Sequence, residues 1–337
     1  MGLAAGRSRA DIAPGPASYE LDALFAKSDA VCLARAQQEA ETQTGTEGYV
    51  KEVSRTAGLL PRRCYKGEIS PGDSVSYITH VPGVHATDTS LPEDHDALLF
   101  LKRSGERSFS LAFPFFGHLS DASLPVLDPE TASGLEQLQR DVVASTKALV
   151  DPRLLLGNFR VLHGFRALTP DALNLLRAYS AGVDAELAMG AYEALAKFGD
   201  PADLFALCQF VSAPGGEPAA SATVHYNFVS VGQIRNPAAR AALECLARAP
   251  RLALYAIDAI RGIASKESVP ELVKHLDDSD INTQYMAVIT LWEIVRRPGE
   301  VGPSVPMFEQ DPMRFIQSWK RWWAETGQAL YPEAPGK

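Results

Sequence analysis

No stretch of this sequence reaches the roughly 18 consecutive apolar residues that a membrane-spanning helix needs, so no spanning segment is expected. Basic runs are equally scarce, none being longer than Arg62-Arg63 or Lys320-Arg321. With 32 Lys and Arg against 41 Asp and Glu, the formal net charge is −9. Nucleic-acid binding depends on cations that displace counterions from phosphate, so this balance argues against a nucleic-acid partner, and equally against a polybasic membrane patch. The motifs of common catalytic chemistry are also missing: there is no G-x-S-x-G elbow, no phosphate-cradling G-x-x-x-x-G-K-[ST] and no G-x-G-x-x-G. The sequence therefore identifies no catalytic residue and no cofactor-binding residue.

Cysteine is sparse. Cys32, Cys64, Cys208 and Cys245 show no C-x-x-C spacing and no paired histidine ligands, which excludes the usual zinc and redox motifs. Cys208 and Cys245 fall on apolar faces of expected helices and read as small buried hydrophobes. Cys32 and Cys64 lie on consecutive expected strands, and a hairpin centred near Gly48 would set them opposite each other. A disulfide between them is expected if the protein meets an oxidising compartment. The seven histidines do not cluster at ligand spacing. His80, His85 and His95 are the nearest to a loop site, and a solvated loop accounts for them, so no metal is expected. The acidic group Asp277, Asp278 and Asp280 lacks the glycine and distal glutamate of a calcium loop, and Asp280 reads instead as a helix cap.

What is present is 46% hydrophobic residues in 337, enough for two ordinary domains with their own cores. Residues 1–18, rich in Gly, Pro and Ala, read as a flexible tail. Met1 to Ala10 carries the charge of a signal peptide without its apolar core, which as written reads as cytoplasmic. Ile12 to Ser18 resembles the start of a processed chain, which leaves export open if a signal stands upstream. From Asp29 the pattern becomes strand-like. Ala30 to Ala36, Tyr49 to Arg55, a stretch ending at Cys64-Tyr-Lys-Gly67, Ser74 to Thr79, Ala97 to Lys102 and Phe109 to Phe113 alternate or run apolar between turn signals. No amphipathic helix interleaves them, so residues 19–128 are expected to form a small antiparallel barrel.

These residues carry a resemblance. Ser28-Asp-Ala-Val-Cys-Leu-Ala-Arg35, Tyr65-Lys-Gly67, Gly72-Asp-Ser-Val75 and Asp96-Ala-Leu-Leu-Phe-Leu101 resemble the course of netrin-like domains. That family, which includes the inhibitory domain of tissue inhibitors of metalloproteinases, is an OB-like five-stranded barrel. The resemblance implies a barrel and an exported history. The inhibitors' chelating N-terminal cysteine is absent, so protease inhibition by that route is not implied.

From Gly134 the period is helical. Leu135, Leu138, Val142, Val143 and Leu149 share a face, Asp151-Pro152 ends that run, and Thr169-Pro170 marks a new helix start. Three segments then superpose without gaps. Ala191 with Leu195, Ala256 with Ile260, and Ala287 with Leu291 occupy matching positions, Ala256 and Ala287 standing 31 positions apart and Ala191 and Ala256 65. A small residue at the centre of a helix, with a large aliphatic one turn later, lets neighbouring helices approach closely. Leu276-Asp-Asp-Ser-Asp280 followed by Ala287 and Leu291 resembles the HEAT family, especially the short bacterial form known from phycobilin lyases. Where that family usually holds Arg, this chain has Gln284, Ala253 and Ala188, so a weak Asp–Arg ladder is expected. The irregular insertion from Pro214 to about Arg235, with the apolar stretch Val224 to Val231 inside it, reads as structural cover, with a ligand lid as the alternative.

At the C-terminus Asp311 reads as an N-cap before Pro312, with Phe315, Trp319, Trp322 and Trp323 at helical spacing and Gly327 as the stop. This helix, over 312–326, is expected to cap the open end of the stack, with partner docking as the alternative. The expected architecture is a β-barrel over 19–128 followed by an α-solenoid of HEAT-like repeats over 134–330. The functional expectation is a protein-binding or scaffolding protein with protein partners and no cofactor; the alternative, implied by the lyase resemblance, is a bilin-binding or chaperone-like role.

Overall fold

The computed structural model of the chain describes residues 20–47, 50–81, 91, 96–115, 134–213, 228–296 and 302–332. Two compact units divide it, Met1–Leu175 and Leu176–Lys337. The expected tail over 1–18 lies outside the described residues.

The first unit opens with a short helix α1, Leu21–Lys27, which no sequence signal announced. Five strands follow: β1 Ala30–Glu47, β2 Val50–Lys66, β3 Ser74–Val81, β4 Ala97–Arg103 and β5 Ser108–Phe115. They close into a barrel in the order β1-β2-β3-β5-β4, in which only the β3–β5 edge is parallel. Two of the expected strands, Tyr49 to Arg55 and the stretch ending at Lys66, are one continuous strand. Pro61 does not break it because the β1–β2 ladder shifts register between Leu33 and Ala34, leaving Arg62 bulged beside the proline. The interior is filled by Cys32, Ala34, Leu59, Val75, Leu99, Leu101 and Phe109, none more than 2% exposed. Val31, Leu33, Leu98 and Phe100 alternate with these and are also buried, so β1 and β4 are covered on both faces.

Helices α2, Gly134–Ala148, and α3, Pro152–Gly164, complete this unit with the start of α4, Pro170–Ser180. α2 packs on both β2 and α3, and the compact unit that holds the barrel therefore extends through these helices rather than ending near 128–134. Gly134 permits the approach: a Cβ there would stand 1.9 Å from the Tyr65 carbonyl oxygen. Asp151 caps α3 by accepting from the Arg153 amide at 2.9 Å, ahead of a proline that loses no bond at the first turn. Gln139 holds the α3–α4 link by donating to the Ala167 carbonyl and accepting from the Thr169 amide.

In the second unit, α5 Ala185–Ala196, α6 Pro201–Ser212, α7 Arg240–Leu246, α8 Ala253–Ile263, α9 Val269–Lys274, α10 Ile281–Val295, α11 Val305–Gln310, α12 Pro312–Trp322 and α13 Gln328–Leu330 follow in sequence. Carboxylate or amide caps open five of the segments: Asp184 before α5, Asp200 before α6, Asn236 before the 3₁₀ turn leading into α7, Asp280 before α10 and Asp311 before α12. Along the chain α5 packs on α6, α6 on α7, α7 on α8, α8 on α10 and α10 on α12. One apolar core runs through them from Met189 to Trp319. Within the insertion, residues 214–227 lie outside the described residues. Phe228–Gln233 forms 3₁₀ turns that pack against α8 and bury Phe228 and Val231, which makes this portion cover for the core.

Candidate functional site

The six repeat positions Ala191, Leu195, Ala256, Ile260, Ala287 and Leu291 are each at most 1% exposed. Ala256, Ile260, Ala287 and Leu291 belong to the common core of the second unit, each alanine at the middle of its helix and each aliphatic residue one turn beyond. Gln284, standing where the resemblance would place Arg, donates from Nε2 to the Asp278 carbonyl at 2.7 Å. Ion pairs do tie the helices, at other positions. Arg177 is bidentate on Asp203 at 2.8 Å, Arg248 is bidentate on Glu271 at 2.7 and 2.9 Å, and Arg261 reaches Glu293 at 3.5 Å. These pairs supplement apolar burial in holding the unit where the expected Asp–Arg ladder is weak. Reading one repeat position at a time hid these pairs, because their partners come from different helices.

The C-terminal aromatic stripe keeps to the core side of α12 and of the turn that follows it. Ile316 and Trp319 are buried in the common core, with Phe315, Trp322 and Trp323 packed partly buried against it. Trp319 and Trp322 meet edge-on with centroids 5.2 Å apart. Asp311 caps the helix by accepting from the Arg314 amide, and Lys320 bonds Asp277 on the turn after α9. Gly327 is not a stop. The helix passes through a π turn, Trp323–Gly327, into α13; a Cβ at Gly327 would stand 2.5 Å from the Trp323 ring, so glycine here makes room for indoles. On the outer side, Arg314, Gln317, Ser318, Arg321, Trp322 and Glu325 line an open depression of about 440 Å³. The lining presents two guanidinium groups, an aromatic surface, a hydroxyl, an amide and one carboxylate.

Among the described residues no group of three or more His, Cys, Asp or Glu could hold a metal ion. His80 lies in β3, while His85 and His95 lie outside the described residues. Asp277 is engaged by Lys320, and Asp280 caps α10 by accepting from the Asn282 and Thr283 amides and the Thr283 hydroxyl. Burial opposes ionisation of Asp280, but these bonds prevail and hold its carboxyl below the usual range.

Both cysteine pairs are joined. Cys32 on β1 is bonded to Cys64 on β2, directly opposite it in the ladder. Cys208 on α6 is bonded to Cys245 on α7, with Cα atoms 6.0 Å apart. Their reading as free buried hydrophobes is thereby corrected. Each does lie on an apolar helix face, but the α6–α7 packing brings the two faces together. Nothing in their spacing of 37 residues marked the contact.

Fold and surface together define a small closed barrel followed by a helical domain. Compared with protein-family models and with curated proteins, the chain matches none.

Proposed function

We propose that this chain is a non-enzymatic protein-binding or scaffolding protein, in which a netrin-like, OB-like barrel precedes a short HEAT-like stack. The continuous apolar core from Met189 to Trp319 carries the reading, because it joins successive helices through small central residues and meets α12 at its end. The barrel's strand order and single parallel edge support the OB-like comparison. Partner contact is assigned to the outer side of α12, where Arg314, Arg321 and Trp322 supply the residue types that dominate binding energy at protein interfaces.

The test is affinity capture from source cells by the full chain and by an Arg314→Ala/Arg321→Ala variant, compared quantitatively by mass spectrometry. A partner retained by the parent and lost by the variant is the expected result. Retention by both moves the contact away from α12. Visible absorbance after incubation with a linear tetrapyrrole, with no captured protein, would replace the scaffold reading by the bilin-binding one.

A further inference from the structure

We infer that the protein matures in a thiol-oxidising compartment and works there with each unit closed by its own structural disulfide. The sequence holds four cysteines, and all four are consumed in two bonds whose partners belong to the same unit. Burial alone would not discriminate, since a lone buried cysteine serves well as a small hydrophobe. Facing pairs do. In a reducing compartment an alanine or valine fills such a site as well as a thiol, and nothing favours placing a second thiol against the first. Here every cysteine meets another.

The positions point to stapling rather than to redox catalysis. Cys32 stands between two register shifts of the β1–β2 ladder, one between Val31 and Cys32 and one between Leu33 and Ala34, where strand pairing is least regular. Cys208 and Cys245 join α6, which ends at Ser212, to α7, which begins at Arg240, across the longest connection between neighbouring helices of that unit. A cross-link removes most chain entropy where it closes a long loop. Cys32 and Cys208 are fully buried and their partners half-buried, which shields both bonds from attacking thiolates. A catalytic pair would need the exposed, electropositive C-x-x-C setting that neither has.

Installation is an exchange reaction. One cysteine thiolate attacks the disulfide of an oxidised thiol–disulfide oxidoreductase, forming a mixed disulfide and releasing one enzyme thiolate. The second cysteine thiolate then displaces the remaining enzyme sulfur. Each bond formed costs the chain two protons and two electrons, which leave as the oxidoreductase dithiol. Two such exchanges complete the protein.

The full chain, purified from its native source under acid quench, is denatured and alkylated with N-ethylmaleimide before and after reduction. No adduct before reduction and four after it is the expected result, with peptide maps linking 32 to 64 and 208 to 245. Four adducts before reduction would overturn the inference, as would crossed pairings. A Cys208→Ala/Cys245→Ala variant separates structure from accident. It should keep one bond, and its loss of melting temperature on reduction should be smaller than the parent's. A parent that melts alike with and without reductant would show that the bonds are not structural and overturn the stapling role.

Discussion

Asp141, in the middle of α2 and without exposed surface, accepts a hydrogen bond from Nη1 of Arg63 on β2 at 2.6 Å. The Tyr65 hydroxyl donates to the same carboxylate oxygen at 2.8 Å, and Gln137 Nε2 to the other at 2.8 Å. Burial, followed by the neighbouring Asp141 charge, pushes the Tyr65 phenol far above its ordinary value, so it remains a donor at every accessible pH. A buried ion pair is a weak source of net stability, but removing one member strands the other. Asp141→Ala should therefore cost on the order of 3–5 kcal/mol, whereas Tyr65→Phe, which leaves the carboxylate two donors, should cost about 1 kcal/mol. Urea denaturation followed by near-ultraviolet circular dichroism measures both, and equal small losses would show that the node is not structural.

The close packing of α8 and α10 makes a second prediction. Ala256 and Ala287 have no exposed surface, and helices that pack through such residues approach to roughly 8–10 Å between axes. Ala256→Leu and Ala287→Leu should each cost about 1–3 kcal/mol through overpacking. Val183, fully exposed, should tolerate replacement by Thr within about 0.5 kcal/mol. Thermal melts of the three variants compare the costs directly, and unchanged melting of both leucine variants would refute the assignment of these alanines to tight helix contacts.

Much of this was legible in the sequence because it is local. Period-two alternation and apolar runs gave the strands, the proposed hairpin register set Cys32 opposite Cys64, and Thr169-Pro170 and Asp311-Pro312 marked helix starts. Thr169 Oγ1 indeed accepts from the Ala172 amide. What stayed hidden is what two distant segments make together. Asp141 interrupts an apolar face as a solvated residue would, and only the arrival of Arg63 and Tyr65 explains it. The Cys208–Cys245 bond and the Arg177–Asp203 and Arg248–Glu271 pairs are of the same kind. The division after Leu175 was not legible because helical period says that α2 and α3 are helices, and says nothing of which core they join.

His275 gives a prediction about pH. It lies after α9, with Nδ1 3.6 Å from Asp278 and Nε2 buried without a hydrogen-bond partner among the described residues. Burial lowers its pKa below the ordinary 6.5, outweighing the opposing pull of Glu271 and Asp278 and aided by Arg248. The unfolded chain thus binds a proton that the folded chain resists. Stability is full above the unfolded value and falls as pH drops below about 6.5, by at most about 1.4 kcal/mol per pH unit from this one group. His275→Asn should flatten the dependence of the urea midpoint between neutral and mildly acid pH. An unchanged slope would assign that dependence to other groups.

The last prediction concerns α12 as the end of the apolar core. Trp319 is 3% exposed and Ile316 2%, so the helix gives its inner side to the core while Arg314 and Arg321 stand on the outer one. Trp319→Ala should cost about 3–5 kcal/mol, the range for emptying a buried aromatic site. Removal of residues 312–337 should do something different in kind. It uncovers the part of α10 on which α12 packs, and an exposed apolar face of that sort associates with its like. Light scattering should show concentration-dependent growth in the truncated chain, while Arg314→Ala/Arg321→Ala, which alters only the outer side, should leave both melting temperature and molecular mass unchanged. A truncated chain that stays at the parent's association state would deny α12 its covering role, whatever Trp319→Ala does to stability.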